Sequence, residues 1–97
     1  MKTEPFDAAR YLTSAAAQEE LLNDALASGD AGYIGEALGV IARARGMTEV
    51  AREAGVTREA LYKALSQNGD PRLTTLLGVA RALGVTLTAR VVDSAGR

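Results

Sequence analysis

The stretch VTREALYKAL, residues 56–65, sets Arg58, Glu59, Tyr62 and Lys63 at helical spacing around apolar Leu61, Ala64 and Leu65. These four side chains suit the edges of base pairs. An arginine or lysine donates to guanine O6 and N7, a glutamate accepts from cytosine N4, and a tyrosine ring packs on a thymine methyl. Glu59 would also repel phosphate, so the set favours reading bases over a plain grip on the backbone. The bland alternative for each is a solvated side chain, with Glu59 and Lys63 forming an i, i+4 pair worth about 0.3 kcal/mol.

Catalysis is a poor fit. Among 97 residues there is no histidine and no cysteine, so the commonest general base and the commonest metal ligands are missing. Chemistry would rest on carboxylates, Lys63 or hydroxyls. The chain has no nucleophile elbow, no GxxxxGKS/T loop and no metal-ligand spacing. The expectation is a binding protein, not an enzyme, with no metal and no cofactor.

Residues 47–66, MTEVAREAGVTREALYKALS, form the unit that must position the readers. Val50, Ala54, Val56, Leu61, Ala64 and Leu65 are apolar at positions that turn inward. Ala51 is small where two helices cross, Gly55 suits a sharp turn at positive φ, and Thr57 is placed to cap the second helix. An ordinary corner of two helices explains the apolar spacing but not the Ala, Gly and Thr together. The pattern predicts a helix-turn-helix with helices over about 47–54 and 58–66. In such a unit the second helix enters the major groove and its first residues meet base edges. The outward positions are Thr57, Arg58, Glu59, Tyr62, Lys63 and Ser66. Thr48, Ser66, Asn68, Arg43 and Arg45 lie around the rim as candidate phosphate donors. Either Gly46 or Thr48 caps the first helix.

The flanking chain reads as further helices. Pro5 suits the first turn of a short helix over residues 5–12, with Phe6, Tyr11 and Leu12 turned to a core. Ser14 caps a second helix to about Ser28, with Gly29 past its end, and Asp30 caps a third to about Arg45. That third helix carries Gly32, Gly35 and Gly39, each costing about 1 kcal/mol against alanine. The four-residue spacing of the last two predicts a closely approaching neighbour, the alternative being a soft helix. Asn68-Gly69 announces a loop, and Asp70 with Pro71 opens a last helix to Leu83, stopped by Gly84. Over 86–93 the period changes, with Leu87, Ala89 and Val91 on one face and Thr88, Arg90 and Val92 on the other. A lone strand leaves its backbone unpaired, so the same strand of a second copy is its simplest partner, in a two-fold dimer. A chance pattern in a disordered terminus is the alternative.

Length and composition fit one small helical domain over residues 1–97, rich in Ala and Leu and with only 4% aromatic residues. The net charge of −1 hides an asymmetry. Residues 1–42, the acidic N-terminal helices, hold two basic side chains against seven acidic, and residues 43–97 hold nine against five. Scattered solvated charge is one reading; a positive binding face with the acidic half elsewhere is the other. No signal peptide and no membrane-spanning run is recognisable, which predicts a soluble, cytoplasmic protein.

With these residues in view, MTEVAREAGVTREALYKALSQNGDPRLTTLLGVARALGV resembles the Xre/λ-repressor-like DNA-binding fold. More narrowly, FDAARYL, IGEALGVIARARGMTEVAREAGVTREALYKALS, NGDPRLTTLLGVARALGV and the short strand resemble the HigA-like addiction-module antidote proteins, over roughly residues 6–92. The resemblance implies a mainly all-α bundle of five to six helices with one C-terminal β-strand. It further implies a homodimer that binds double-stranded operator DNA of its own operon and neutralises a co-encoded RelE/HigB-like toxin that cleaves mRNA. By position, Thr57, Arg58, Glu59 and Lys63 fall where λ-like repressors meet operator bases. A basic ribonuclease would suit the acidic half, although that half equally serves the core and solubility. The rival readings are a stand-alone repressor without a toxin and a protein-interaction module whose helix-turn-helix touches no nucleic acid.

Overall fold

Ser14, Asp30 and Thr57 each start a helix by the same device, an oxygen that accepts from a backbone N–H of the first turn. Ser14 accepts from Ala17 at 3.1 Å, Asp30 from Gly32 at 2.9 Å and Thr57 from Ala60 at 3.0 Å. The computed structural model describes residues 14–93 and places five helices among them. They are α1 (Ala15–Ser28), α2 (Ala31–Arg45), α3 (Met47–Ala54), α4 (Arg58–Ala64) and α5 (Leu73–Leu83). The helix expected over residues 5–12 lies outside the described residues.

The three stops read from glycines are where the sequence put them. Gly29, Gly55 and Gly84 have φ of 71°, 77° and 73°, the left-handed conformation that closes a helix. Gly46 settles the start of α3: it is the N-cap, with φ of 123° and no side-chain cap. Two boundaries moved. α4 ends at Ala64 rather than residue 66, with Ser66 Oγ donating back to the Lys63 carbonyl. α5 begins at Leu73, so Asp70 and Pro71 belong to the loop and Arg72 is an N-cap without a side-chain bond. The loop is held tightly at Gly69, where an added Cβ would meet the carbonyls of Ala64 and Lys63. That crossing over the end of α4 delays the start of the next helix.

One core joins all five helices. Leu22 and Ala25 of α1 meet Leu38, Ile41 and Ala42 of α2, Val50 and Ala51 of α3, Leu61 and Leu65 around α4, and Val79 and Leu83 of α5. Ile41, Val50, Leu61, Leu65 and Val79 are the largest side chains fully withdrawn from water. Removing one such Leu or Ile costs on the order of 2–5 kcal/mol. No buried polar side-chain atom among the described residues lacks a partner.

The glycines of α2 do pack closely, but against a helix end rather than a helix face. A Cβ on Gly39 would sit 2.5 Å from the Leu65 carbonyl oxygen, one on Gly35 3.0 Å from that of Ser66, and one on Gly32 2.6 Å from that of Gln67. The glycines thus seat the last turn of α4 and the chain leaving it.

Residues 85–93 form neither helix nor strand in the single chain. The strand expected over residues 86–93 is not formed among the described residues. Among the described residues no helix is long and apolar enough to cross a membrane.

Candidate nucleic-acid interface

α4 owes its position to both of its ends. At its start, Gly55 turns the chain after α3 and Thr57 caps the first turn. At its end, the glycines of α2 take the backbone of residues 65–67. Leu61 and Leu65 anchor its inner side in the core, with Ala64 half-buried beside them. Arg58, Glu59, Tyr62 and Lys63 are all exposed, as is Thr57. The helix therefore presents the full set of expected readers to solvent.

Arg58 and Tyr62, one turn apart, stack with the guanidinium carbon 5.6 Å from the ring centroid. This cation–π contact holds the arginine along the helix while leaving its donors outward. Glu59 and Lys63 make no ion pair with described residues, so the i, i+4 pairing that would have occupied them is not formed. Both are left to meet solvent or a ligand.

A shallow open groove runs between the start of α3 and the start of α4. Arg43, Thr48, Arg58 and Tyr62 line it, together with Gly46, Met47 and Glu49. The fold thus gathers two of the expected base readers and two of the expected phosphate donors at one place. Glu49 was not foreseen there. Its carboxylate accepts from Arg52 one turn on, and that hydrogen bond and charge hold its pKa below the ordinary carboxylate range. The pairing also offsets a negative charge at the groove mouth. Its sequence signal, an i, i+3 Glu-Arg pair on a short helix, was available.

The remaining expected residues are dispersed. The Arg45 guanidinium donates to the carbonyls of Ala82 at 2.9 Å and Leu83 at 3.3 Å, closing the end of α5. Its donors are committed to the fold rather than turned to the groove. Ser66 is half-buried and its hydroxyl bonds back to α4, while Asn68 is exposed beyond the end of α4. Leu87 is half-buried in a second groove along α1, and Ala89 and Val91 are exposed. Among the described residues no group of three or more acidic side chains is placed to hold a metal ion.

The acidic side of the molecule lies on α1 and the outer face of α2, with Glu19, Glu20, Asp24 and Glu36 exposed. The Tyr33 hydroxyl donates to Asp24 Oδ2 at 2.6 Å and links these two helices. The bond to the carboxylate raises the tyrosine pKa, because ionising it would lose the hydrogen bond and set two negative charges together.

A family model described as probable addiction module antidote protein matches residues 2–91. An uncharacterized protein of Haemophilus influenzae is 46% identical over 80 residues, which cover 82% of each chain. No solved structure matches. The chain belongs to the addiction-module antidote protein family.

Proposed function

We propose that this protein is the antitoxin of an addiction module, which neutralises a co-encoded toxin and represses its own operon by binding operator DNA. The observation that carries the DNA half is the convergence of Arg43, Thr48, Arg58 and Tyr62 on one groove, beside unpaired Glu59 and Lys63. In this reading α3, the turn at Gly55 and α4 are a λ-repressor-like helix-turn-helix of the Xre type. α4 enters the major groove with Thr57, Arg58, Glu59, Tyr62 and Lys63 toward the bases. Arg43 and Thr48 meet the phosphates across the groove mouth, with Ser66 and Asn68 at the far rim. Arg45 contributes by holding α5 in place.

Family membership supports the toxin half, since an antidote implies something to neutralise. The toxin is taken to be RelE/HigB-like and the setting cytoplasmic. The protein itself works by binding, without catalysis.

The test has two arms. Fluorescence anisotropy compares DNA from upstream of the gene with a scrambled duplex of equal length at two salt concentrations. Tighter binding to the native sequence, weakened by salt, is expected. Arg58→Ala with Lys63→Ala should cost about 100-fold in affinity for the native duplex, from two contacts of roughly 1–3 kcal/mol each. Equal weak binding to both duplexes would leave a protein-interaction module in place of a reader. The second arm expresses the neighbouring gene with and without the protein. Growth arrest relieved by the protein identifies the toxin, and no arrest leaves a stand-alone repressor.

A further inference from the structure

Arg58 and Tyr62 meet in a way that Glu59 and Lys63 do not. The Arg58 guanidinium carbon lies over the Tyr62 ring, 5.6 Å from its centroid, and both residues line the groove shared with Arg43 and Thr48. An ion pair would have used up the arginine's donors. Attraction to the face of a ring uses the charge of the cation and none of its hydrogen bonds, so the N–H fork stays free for a bidentate acceptor. The ring is open to contact as well. Tyr62 is 39% exposed, whereas Tyr33 spends its hydroxyl on Asp24.

We propose that Arg58 and Tyr62 act as one reader of a base step, a guanine beside a pyrimidine that carries a C5-methyl group. This deepens the operator-binding reading and rests on it. A guanidinium that donates to guanine O6 and N7 is fixed in the major groove by two bonds. Tyr62 is tied to it at 5.6 Å. Successive bases lie about 3.4 Å apart along the axis, so the ring comes to the base next to that guanine before any other. What a base must offer a ring there is apolar surface. In the major groove that surface is the C5-methyl of thymine, while adenine, guanine and unmodified cytosine present donors and acceptors. Cytosine methylated at C5 carries the same group at the same place, so thymine and 5-methylcytosine are the two sources of one chemistry. Glu59 and Lys63 have no such tie, and each is left to serve a base of its own.

The test uses the full chain and the duplex from upstream of its gene, followed by fluorescence anisotropy. Thymines are replaced one at a time by uracil, which removes only the methyl, and guanines by 7-deazaguanine, which removes only the N7 acceptor. Cytosines beside a guanine are replaced by 5-methylcytosine. Titrations run at low salt, where weakened variants still bind. Burying one methyl group is worth about fourfold in affinity. With thymine as the source, uracil at the contacted position should cost about fourfold, and the guanine next to it should be sensitive to 7-deazaguanine. With methylated cytosine as the source, uracil costs nothing and the 5-methylcytosine duplex binds about fourfold tighter than the plain one. In both cases the methyl dependence persists in Tyr62→Phe, which keeps the ring, and is absent from Tyr62→Ala.

Binding specific to the native duplex but indifferent to every methyl overturns the proposal and leaves the operator-binding reading intact. So does a methyl dependence that survives Tyr62→Ala, or one at a base that does not adjoin the sensitive guanine. Equal binding to native and scrambled duplexes overturns both.

Discussion

Gly39→Ala is the substitution that best tests how α4 is held. The added methyl would lie 2.5 Å from the Leu65 carbonyl oxygen and 3.4 Å from Leu65 Cβ. Leu65 is only 1% exposed and caps α4, so the obstacle is anchored backbone rather than the tip of a flexible side chain. Alanine gains about 1 kcal/mol over glycine inside a helix. Overpacking a tight site costs about 1–3 kcal/mol, and backbone that cannot rotate away puts this site at the upper end or beyond. The net expectation is a loss of about 2 kcal/mol. For a domain of this size that lowers Tm by about 8–16 °C. Circular dichroism during thermal and urea unfolding measures it, with Glu36→Ala on the exposed side of α2 as a control. Gly35→Ala, where the nearest contact would be 3.0 Å, should be milder. A Gly39→Ala protein as stable as the parent, or more so, would refute the close seating of α4 on α2.

Three further outcomes follow from contacts already described. Thr57→Ala removes the oxygen that accepts from Ala60 N–H and should cost about 1 kcal/mol in urea unfolding, with Thr57→Ser restoring most of it. Arg45→Met takes away the donors to the Ala82 and Leu83 carbonyls; about 1 kcal/mol should be lost, and hydrogen exchange should accelerate at the end of α5. The pH profile of stability should be flat from about 6 to 9, since no histidine or cysteine is present to titrate. Below that plateau, Glu49 is a carboxylate with a lowered folded pKa, so its contribution is present above the ordinary carboxylate range and lost as pH falls through the folded value. Above it, Tyr33 has a raised folded pKa, so its contribution is present below the ordinary tyrosine value and lost as pH rises through the folded one. A stability midpoint that moved between pH 6 and 9 would contradict this assignment.

Local chemistry was legible in the sequence, and distant chemistry was not. The caps at Ser14, Asp30 and Thr57 and the stops at Gly29, Gly55 and Gly84 act on their own helices, so spacing alone located them. The exposed set on α4 was legible for the same reason: once Leu61 and Leu65 turn inward, helical geometry turns Arg58, Glu59, Tyr62 and Lys63 outward. Arg45 shows the limit. A basic residue next to a reading unit suggests phosphate, yet its partners are carbonyls 37 and 38 residues further along the chain. Asp70 with Pro71 shows another. The pair is a sound helix start in isolation, but Gly69 is pinned over α4 and the helix waits until Leu73. The close approach predicted from Gly35 and Gly39 was sound, although no spacing rule names which backbone approaches.

The glycine seat of α4 separates two kinds of change that most small domains confound. Along the glycines of α2, a methyl added toward the end of α4 would meet backbone carbonyls first, and backbone cannot repack as a side chain can. The pose of α4 is consequently set by peptide geometry at its end as well as by Leu61 and Leu65 in the core. Substitutions at Arg58, Glu59, Tyr62 or Lys63 alter what the helix offers without altering where it stands, because none of them touches the seat. Single substitutions on that outer face therefore change the recognition surface alone, while an added methyl at Gly32, Gly35 or Gly39 disturbs the stance of the whole helix.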